Sequence, residues 1–230
     1  MKRSEIDRAI RAAQDVLRAH DFMLPPFASW TPAQWRKAGP ECSRIFDCRL
    51  GWDVSDFGVG DFDRLGAVLF TIRNGNLRTP GLGTPYAEKV IILTPNQRLP
   101  LHLHWSKTED IINRGGGRLV MELYAVRDDD AVDRESPVTV YCDGREMSVR
   151  PGVPVVMNPG ESMTLAPGMY HRFWADGAGG TLLAGEVSSV NDDETDNLFA
   201  EHVSRFAAVE EDVPAAFVLC NEYGSRMQNR

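Results

Sequence analysis

From Trp52 onward the chain is a succession of short apolar runs, each bounded by turn signals: AVLFTIRNGN, EKVIILTPNQ, LVMELYAVRDDD, PVTVYCDGRE, PVVMNPGES, MTLAPGMYHRFWADG and TLLAGEVSSV. Asn74-Gly75 and Asp143-Gly144 are dipeptides that reverse a chain tightly, because Gly and Asn/Asp enter the positive-φ region at little cost. Many short strands at this spacing imply an all-β sandwich or barrel. A chain of 230 residues with 43% hydrophobic content has ample material for one packed core of that kind. No internal repeat or low-complexity linker divides it, so one domain over residues 1–230 is expected.

The first 50 residues have a different texture. From Ser4 to His20, the residues Ile6, Ile10, Ala13 and Leu17 form an apolar stripe of helical period, with Ser4 as N-cap and Asp7 in the first turn. Pro25-Pro26 stops that helix, Thr31-Pro32 opens a second short one, and Pro40 ends it. Such helices are too short for a core of their own. They are expected to form an N-terminal helical extension, residues 1–50, packed on a β-barrel over 51–230. After Asn191 the acidic run DDETD and the stretch to Arg205 read as a loop and a short helix. Phe217 to Cys220 reads as a last strand, and Asp128-Asp129-Asp130 as a solvated loop.

A net charge of −8 and a pI near 5.2 argue against binding nucleic acid or an anionic membrane through bulk electrostatics. Cys42, Cys48, Cys142 and Cys220 are scattered without a CxxC, which suits free thiols in a reducing compartment. MKRSEIDRAI lacks the apolar centre of a signal peptide, and no apolar run approaches a membrane span. The expectation is a cytoplasmic protein.

Chemistry concentrates between Pro100 and Tyr124, in PLHLHWSKTEDIINRGGGRLVMELY. His102 and His104 are two apart, so on a strand both imidazoles leave the same face. Glu109 follows after a short turn, and Gly115-Gly116-Gly117 after that. This reads as half of a metal site. Of the five histidines, His20 and His202 sit in helix-like stretches, leaving His171 as the candidate fourth ligand. Imidazole nitrogens with a carboxylate oxygen suit Mn, Fe, Co, Ni or Zn. Four protein ligands leave exchangeable positions on a five- or six-coordinate ion, as a catalytic site requires. Singly, H-x-H occurs by chance and a lone His171 is more often a hydrogen-bonded residue; it is the combination that points to a metal.

These stretches resemble the paired motifs of the cupin family. The first is G-x5-H-x-H-x3,4-E-x6-G, matched by His102, His104, Glu109 and Gly116, with Asn96 where the opening glycine stands. The second is G-x5-P-x-G-x2-H-x3-N, where Gly160, Gly168 and His171 keep the spacing, Pro167 is one place late and Ala175 replaces the asparagine. The resemblance implies a jelly-roll barrel, the double-stranded β-helix. A closer resemblance is distributed along the chain. MKRSEI, LPPFASW, LGWDV, LFTIRNG, YAEK, HWSKTEDIINRGGG, PGESMTLAPGMYH, GEVSSVNDD and LCNEY are similar to bacterial D-lyxose isomerases of the cupin type. That resemblance implies an aldose–ketose isomerase interconverting D-lyxose and D-xylulose, with D-mannose and D-fructose as a further pair. It also implies a homodimer, and a divalent metal, usually manganese, held by His102, His104, Glu109 and His171.

Such a reaction needs a base for the carbon-bound hydrogen and charge stabilisation at the oxygens. Lys89 and Glu88 alternate faces in YAEKVIIL, so only one can point into a barrel. Glu186, in the apolar stretch LLAGEVSSV, is expected to have its pKa raised by burial. We read Lys89 as charge stabiliser and Glu186 as acid/base, against the plainer readings of a surface lysine and a buried salt bridge. Glu88 and Glu222 are the reserve carboxylates. Lys107 reads as a solvated turn residue. Phe173 shares the face of His171 and is expected to line a sugar pocket, and Asp193 is a candidate for sugar hydroxyls. Two other classes compete: an iron or nickel cupin dioxygenase, and a non-catalytic sugar-binding cupin. Retention of all four candidate ligands counts against the latter.

Overall fold

A computed structural model describes residues 1–224. Helices α1 (Arg3–Ala19), α2 (Pro32–Trp35) and α3 (Ser43–Asp47) precede the strands. The strands are β1 (Gly51–Ser55), β2 (Ala67–Gly75), β3 (Gly83–Leu93), β4 (His102–His104), β5 (Glu109–Gly115), β6 (Leu119–Val126) and β7 (Val132–Asp133). They continue as β8 (Val138–Cys142), β9 (Arg145–Val149), β10 (Val155–Met157), β11 (Ser162–Leu165), β12 (Tyr170–Ala175), β13 (Leu182–Ser189) and β14 (Asn197–Phe199). One sheet has the order β1-β2-β3-β13-β5-β11-β8-β9, and the other β10-β6-β12-β4-β14 with β7 beside β6. The ladders between these strands are antiparallel, as expected of a jelly roll.

The inner faces of the two sheets enclose one core, which includes Leu69, Ile91, Ile111, Met121, Leu123 and Phe173. A second core lies outside the larger sheet, where Ile6, Ile10, Ala13 and Leu17 of α1 pack on Trp52, Phe70, Val90 and Ile92. Strands β2 and β3 are therefore buried on both faces, which explains the unbroken apolar run VIIL in an antiparallel sheet. Ile10 is fully buried in the outer core. Ile10→Ala should lower stability by about 2–5 kcal/mol, the range for truncating a buried aliphatic side chain. The check is a lower urea midpoint with an unchanged slope.

Several local expectations change. α1 begins before Ser4, with Lys2 at the N-cap and its amide donating to Glu5 Oε2 at 2.9 Å. Ser4 donates instead to the distant Asp212, through its amide at 3.0 Å and its hydroxyl at 2.6 Å. The stretch after Asn191 forms β14 rather than a helix, because β4 offers an open edge on which Asn197–Phe199 pairs with His102–His104. His202 lies in an irregular segment. Phe217–Cys220 is not a strand: Leu219 makes a single parallel bridge to Trp52, and the Cys220 amide donates to the Trp52 carbonyl at 2.8 Å. Asn96 has φ 65°, which explains why asparagine can stand where the cupin motif carries glycine. Gly116 has φ 83°, and a Cβ there would collide with the Thr181 carbonyl.

Candidate active site

Strand register decides which side chains meet. In the larger sheet Lys89 of β3 is paired with Glu186 of β13, and Ser188 with Glu109 of β5. With period 2, Lys89, Glu186, Ser188 and Glu109 all face inward, in line with Ile91, Ala184 and Ile111 of the inner core. Glu88 points to the other side and pairs with Arg73. In the second sheet His171 of β12 is the register partner of His102 of β4, and His104 and Phe173 follow two residues along. Apart from Ser188, the two sets line one cleft of about 490 Å³ of empty space, part of it open to solvent. That is within the range of small-molecule sites.

The ligand atoms of His102, His104 and His171 lie within 4.8 Å of one another. His102 Nδ1 is 2.9 Å from the Pro100 carbonyl and His171 Nδ1 is 3.1 Å from the Met169 carbonyl. A carbonyl oxygen only accepts, so each Nδ1 carries the proton and each Nε2 keeps a lone pair. Burial, followed by the neighbouring histidines, pushes the His102 pKa well below the usual imidazole value, and burial followed by Lys107 pushes His104 down to about 4. Both imidazoles are thus neutral at pH 7. Glu109 Oε1 stands 3.0 Å from His171 Nε2 and 3.4 Å from His104 Nε2, buried without a hydrogen-bond donor of its own. Lone pairs and a carboxylate facing one another are satisfied by a cation. The donor set fits a divalent metal of the first transition row.

Beside this group lies a buried chain of charges. Lys107 Nζ is 2.8 Å from Glu109 Oε2 and 2.9 Å from Glu186 Oε1. Lys89 Nζ is 3.4 Å from the same Glu186 oxygen, to which Ser188 Oγ also donates at 3.2 Å. The solvated-turn reading of Lys107 is therefore wrong: the residue is 3% exposed, and its ammonium is among the cleft's central groups. The expectation for the Glu186 pKa also fails. Burial alone would raise it, but Lys107 and then Lys89 overcome burial and hold it below the ordinary glutamate value. Burial would raise the Glu109 pKa too, but the Lys107 ammonium overcomes it and holds the carboxyl well below its ordinary value.

Phe173 is 1% exposed and, with Phe57 and Phe199, supplies the apolar wall. Asp193 is fixed in the cleft, not solvated: Arg205 Nη2 reaches Asp193 Oδ2 at 3.0 Å and Asp53 Oδ2 at 2.7 Å, and Lys89 Nζ is 4.0 Å from Asp193 Oδ1. Nothing local in the sequence marks Arg205, because its partners come from β1 and from the loop after β13. Glu222, the reserve carboxylate near the C-terminus, pairs with the buried Arg3. Burial would raise the Asp193 pKa, yet Arg205 and Lys89 hold it well below the carboxylate range. A depressed folded-state pKa adds stability above the unfolded value of about 3.9, and that stability is lost as pH falls through the folded value. Asp193→Asn should therefore be less stable than the parent at pH 7, and the difference should close below about pH 4. Denaturation midpoints measured across that range give the check.

Residues 1–223 match the family described as D-lyxose isomerase. The chain is 45% identical over 224 residues to the D-lyxose/D-mannose isomerase of Escherichia coli O157:H7, covering 97% of this chain and 98% of that one. It is 43% identical over 224 residues to the D-lyxose/D-mannose isomerase of Serratia proteamaculans, with the same coverage. Among solved structures, Cellulomonas parahominis L-ribose isomerase with L-psicose superposes with a TM-score of 0.59 at 18% identity. The match covers 91% of this chain and 98% of that chain, a likeness of fold. With a family match along nearly its whole length and relatives above 40% identity, the chain belongs to the D-lyxose isomerase family, a family of aldose–ketose isomerases.

Proposed function

We propose that the chain interconverts D-lyxose and D-xylulose, and by the same chemistry D-mannose and D-fructose, as a metal-dependent isomerase. His102, His104, Glu109 and His171 would hold a divalent metal, with manganese first and Zn, Co, Ni or Fe as alternatives. The observation that carries this reading is the meeting of a lone-pair-rich ligand cluster with an ionised carboxylate between two ammonium groups, all in one cleft. When bound, the metal would supply a Lewis acid for the sugar's carbonyl and neighbouring hydroxyl oxygens.

The chain's own residues account for the proton. Glu186, ionised at neutral pH, takes the proton from C2 of the aldose. The C–H electron pair becomes the C1–C2 double bond, and the carbonyl oxygen takes up the negative charge. Returning the proton to C1, with protonation and deprotonation of the two oxygens, gives the ketose. During the transfer a negative charge leaves Glu186 and appears on the substrate oxygen, so Lys89 and Lys107 remain opposite one anion throughout. Phe57, Phe173 and Phe199 keep water from the reacting carbons. Asp193 and Arg205 offer an acceptor and a donor for sugar hydroxyls.

The test is anaerobic incubation of metal-replenished protein with D-lyxose, D-mannose and other aldoses, with ketose read by chromatography. D-Xylulose formed without oxygen is the expected result. Ketose from other aldoses but not D-lyxose would reject the substrate and keep the reaction. Turnover that needs oxygen and yields no ketose would place the chain with the dioxygenases. The homodimer rests on the family resemblance alone; light scattering giving the mass of a single 25.6 kDa chain at micromolar concentration would reject it.

A further inference from the structure

The acidic run after β13 holds a residue that the chemistry above leaves unused. Asp196 is 6% exposed, although four of the five residues from Asp192 to Asp196 are acidic. Its Oδ1 accepts from the Ser106 amide at 2.8 Å and from Ser106 Oγ at 2.7 Å. Its Oδ2 accepts from the Lys107 amide at 3.1 Å, and its carbonyl accepts from the Trp105 amide at 3.2 Å. All these donors lie in the turn between β4 and β5, about 90 residues earlier in the chain. That turn joins the strand of His102 and His104 to the strand that opens with Glu109.

Asp196 is itself well anchored. Its amide donates to the Asp192 carbonyl at 3.1 Å, and the next residue, Asn197, is in register with His104. The turn has no ladder of its own, so without this carboxylate the buried Lys107 amide would lose its acceptor, a loss that reorients a loop. A lysine side chain is a flexible stem, and where its ammonium rests depends on where its Cα is held. We propose that Asp196 is a positioning residue, which fixes the turn from Trp105 to Thr108 so that the Lys107 ammonium stays between Glu109 and Glu186. This inference rests on the reading of Lys107 and Glu186 as parts of the reacting cleft.

A double-mutant cycle tests it on the metal-loaded protein, with kcat, KM, metal content and thermal midpoint measured for each variant. Asp196→Ala should lower kcat roughly 10- to 10²-fold, the scale of loss for misplacing a catalytic group. KM should move less, and elemental analysis should give parental metal content. Lys107→Met should lose at least as much kcat. In the Lys107→Met background, Asp196→Ala should change kcat by less than about two-fold, because the group it positions is gone. A lower thermal midpoint with parental kcat in Asp196→Ala, while Lys107→Met is impaired, overturns the proposal and leaves the reading of the cleft standing. Parental kcat in Lys107→Met sinks that reading, and the proposal with it. An equal loss in both backgrounds shows that Asp196 acts through something other than Lys107 and also overturns the proposal. Should Asp196→Ala fail to fold, Asp196→Asn keeps the volume and one acceptor for Ser106 but loses the acceptor for the Lys107 amide. It should show the same coupling, and an uncoupled or parental kcat overturns the proposal.

Discussion

Glu186→Gln should lower kcat by roughly 10²-fold or more, the usual cost of losing a general acid/base. Glutamine keeps the shape of the side chain and one oxygen for Lys107 and Ser188, but it cannot take the proton. It also removes one anion from between two buried ammonium groups, so the thermal midpoint should fall as well; Lys107 retains Glu109 as a partner. The two effects separate cleanly, since kcat per folded molecule is measured below the midpoint. Metal content should stay at the parental level, because Glu186 turns its Oε1 to Lys107 and Lys89, whereas Glu109 Oε1 faces His104 and His171. Isomerisation in deuterium oxide adds a second reading. Proton transfer through Glu186 places solvent deuterium on the sugar carbon, whereas a direct hydride shift does not. A Glu186→Gln protein that turns over like its parent would make the residue structural.

The other large effect is expected at His104. Its imidazole is 6% exposed, is neutral at pH 7, and points at Glu109 Oε1. His104→Ala should weaken metal binding by roughly 10- to 10²-fold or more, since even the groups that merely orient a ligand are worth that much. Activity should fall with it. The fold should persist, because β4 is held by backbone pairing to β12 and β14 and by the buried Leu103, none of which involves the imidazole. Elemental analysis after dialysis and a circular dichroism spectrum answer the two halves. Full metal retention by His104→Ala would mean that the ion sits elsewhere.

The parts of this molecule that follow from short-range pattern were legible in the sequence. H-x-H placed two imidazoles on one face because strands have period 2, and the stripe of Ile6, Ile10, Ala13 and Leu17 gave the face of α1. The parts that depend on long-range pairing were not. Lys107 looked like any lysine in a turn; only the clamp from Asp196 and the two carboxylates brought from β5 and β13 turn it inward. Glu186 was found because a carboxylate in an apolar strand is conspicuous. The direction of its pKa shift was not, since that depends on Lys89 and Lys107 standing opposite it. The acidic run after Asn191 misled for the same reason. It read as a loop and a short helix, while Asp193 and Asp196 each meet cations or amides from remote segments.

Strand β3 carries a consequence for how reliably the chain finds its fold. Its alternate residues serve two different compartments: Lys89 and Ile91 enter the barrel, while Val90 and Ile92 are covered by α1. A slip of one residue that drove the Lys89 ammonium under the helix, opposite Phe70, would set the Glu88 carboxylate opposite that of Glu186. Both layers would reject that arrangement at once, one for a stranded charge and the other for an unmatched anion. The central strand is thus proofread from two sides during folding, and competing registers lie far up the energy landscape. The buried lysine opposite Glu186 doubles as a registration mark for the sheet.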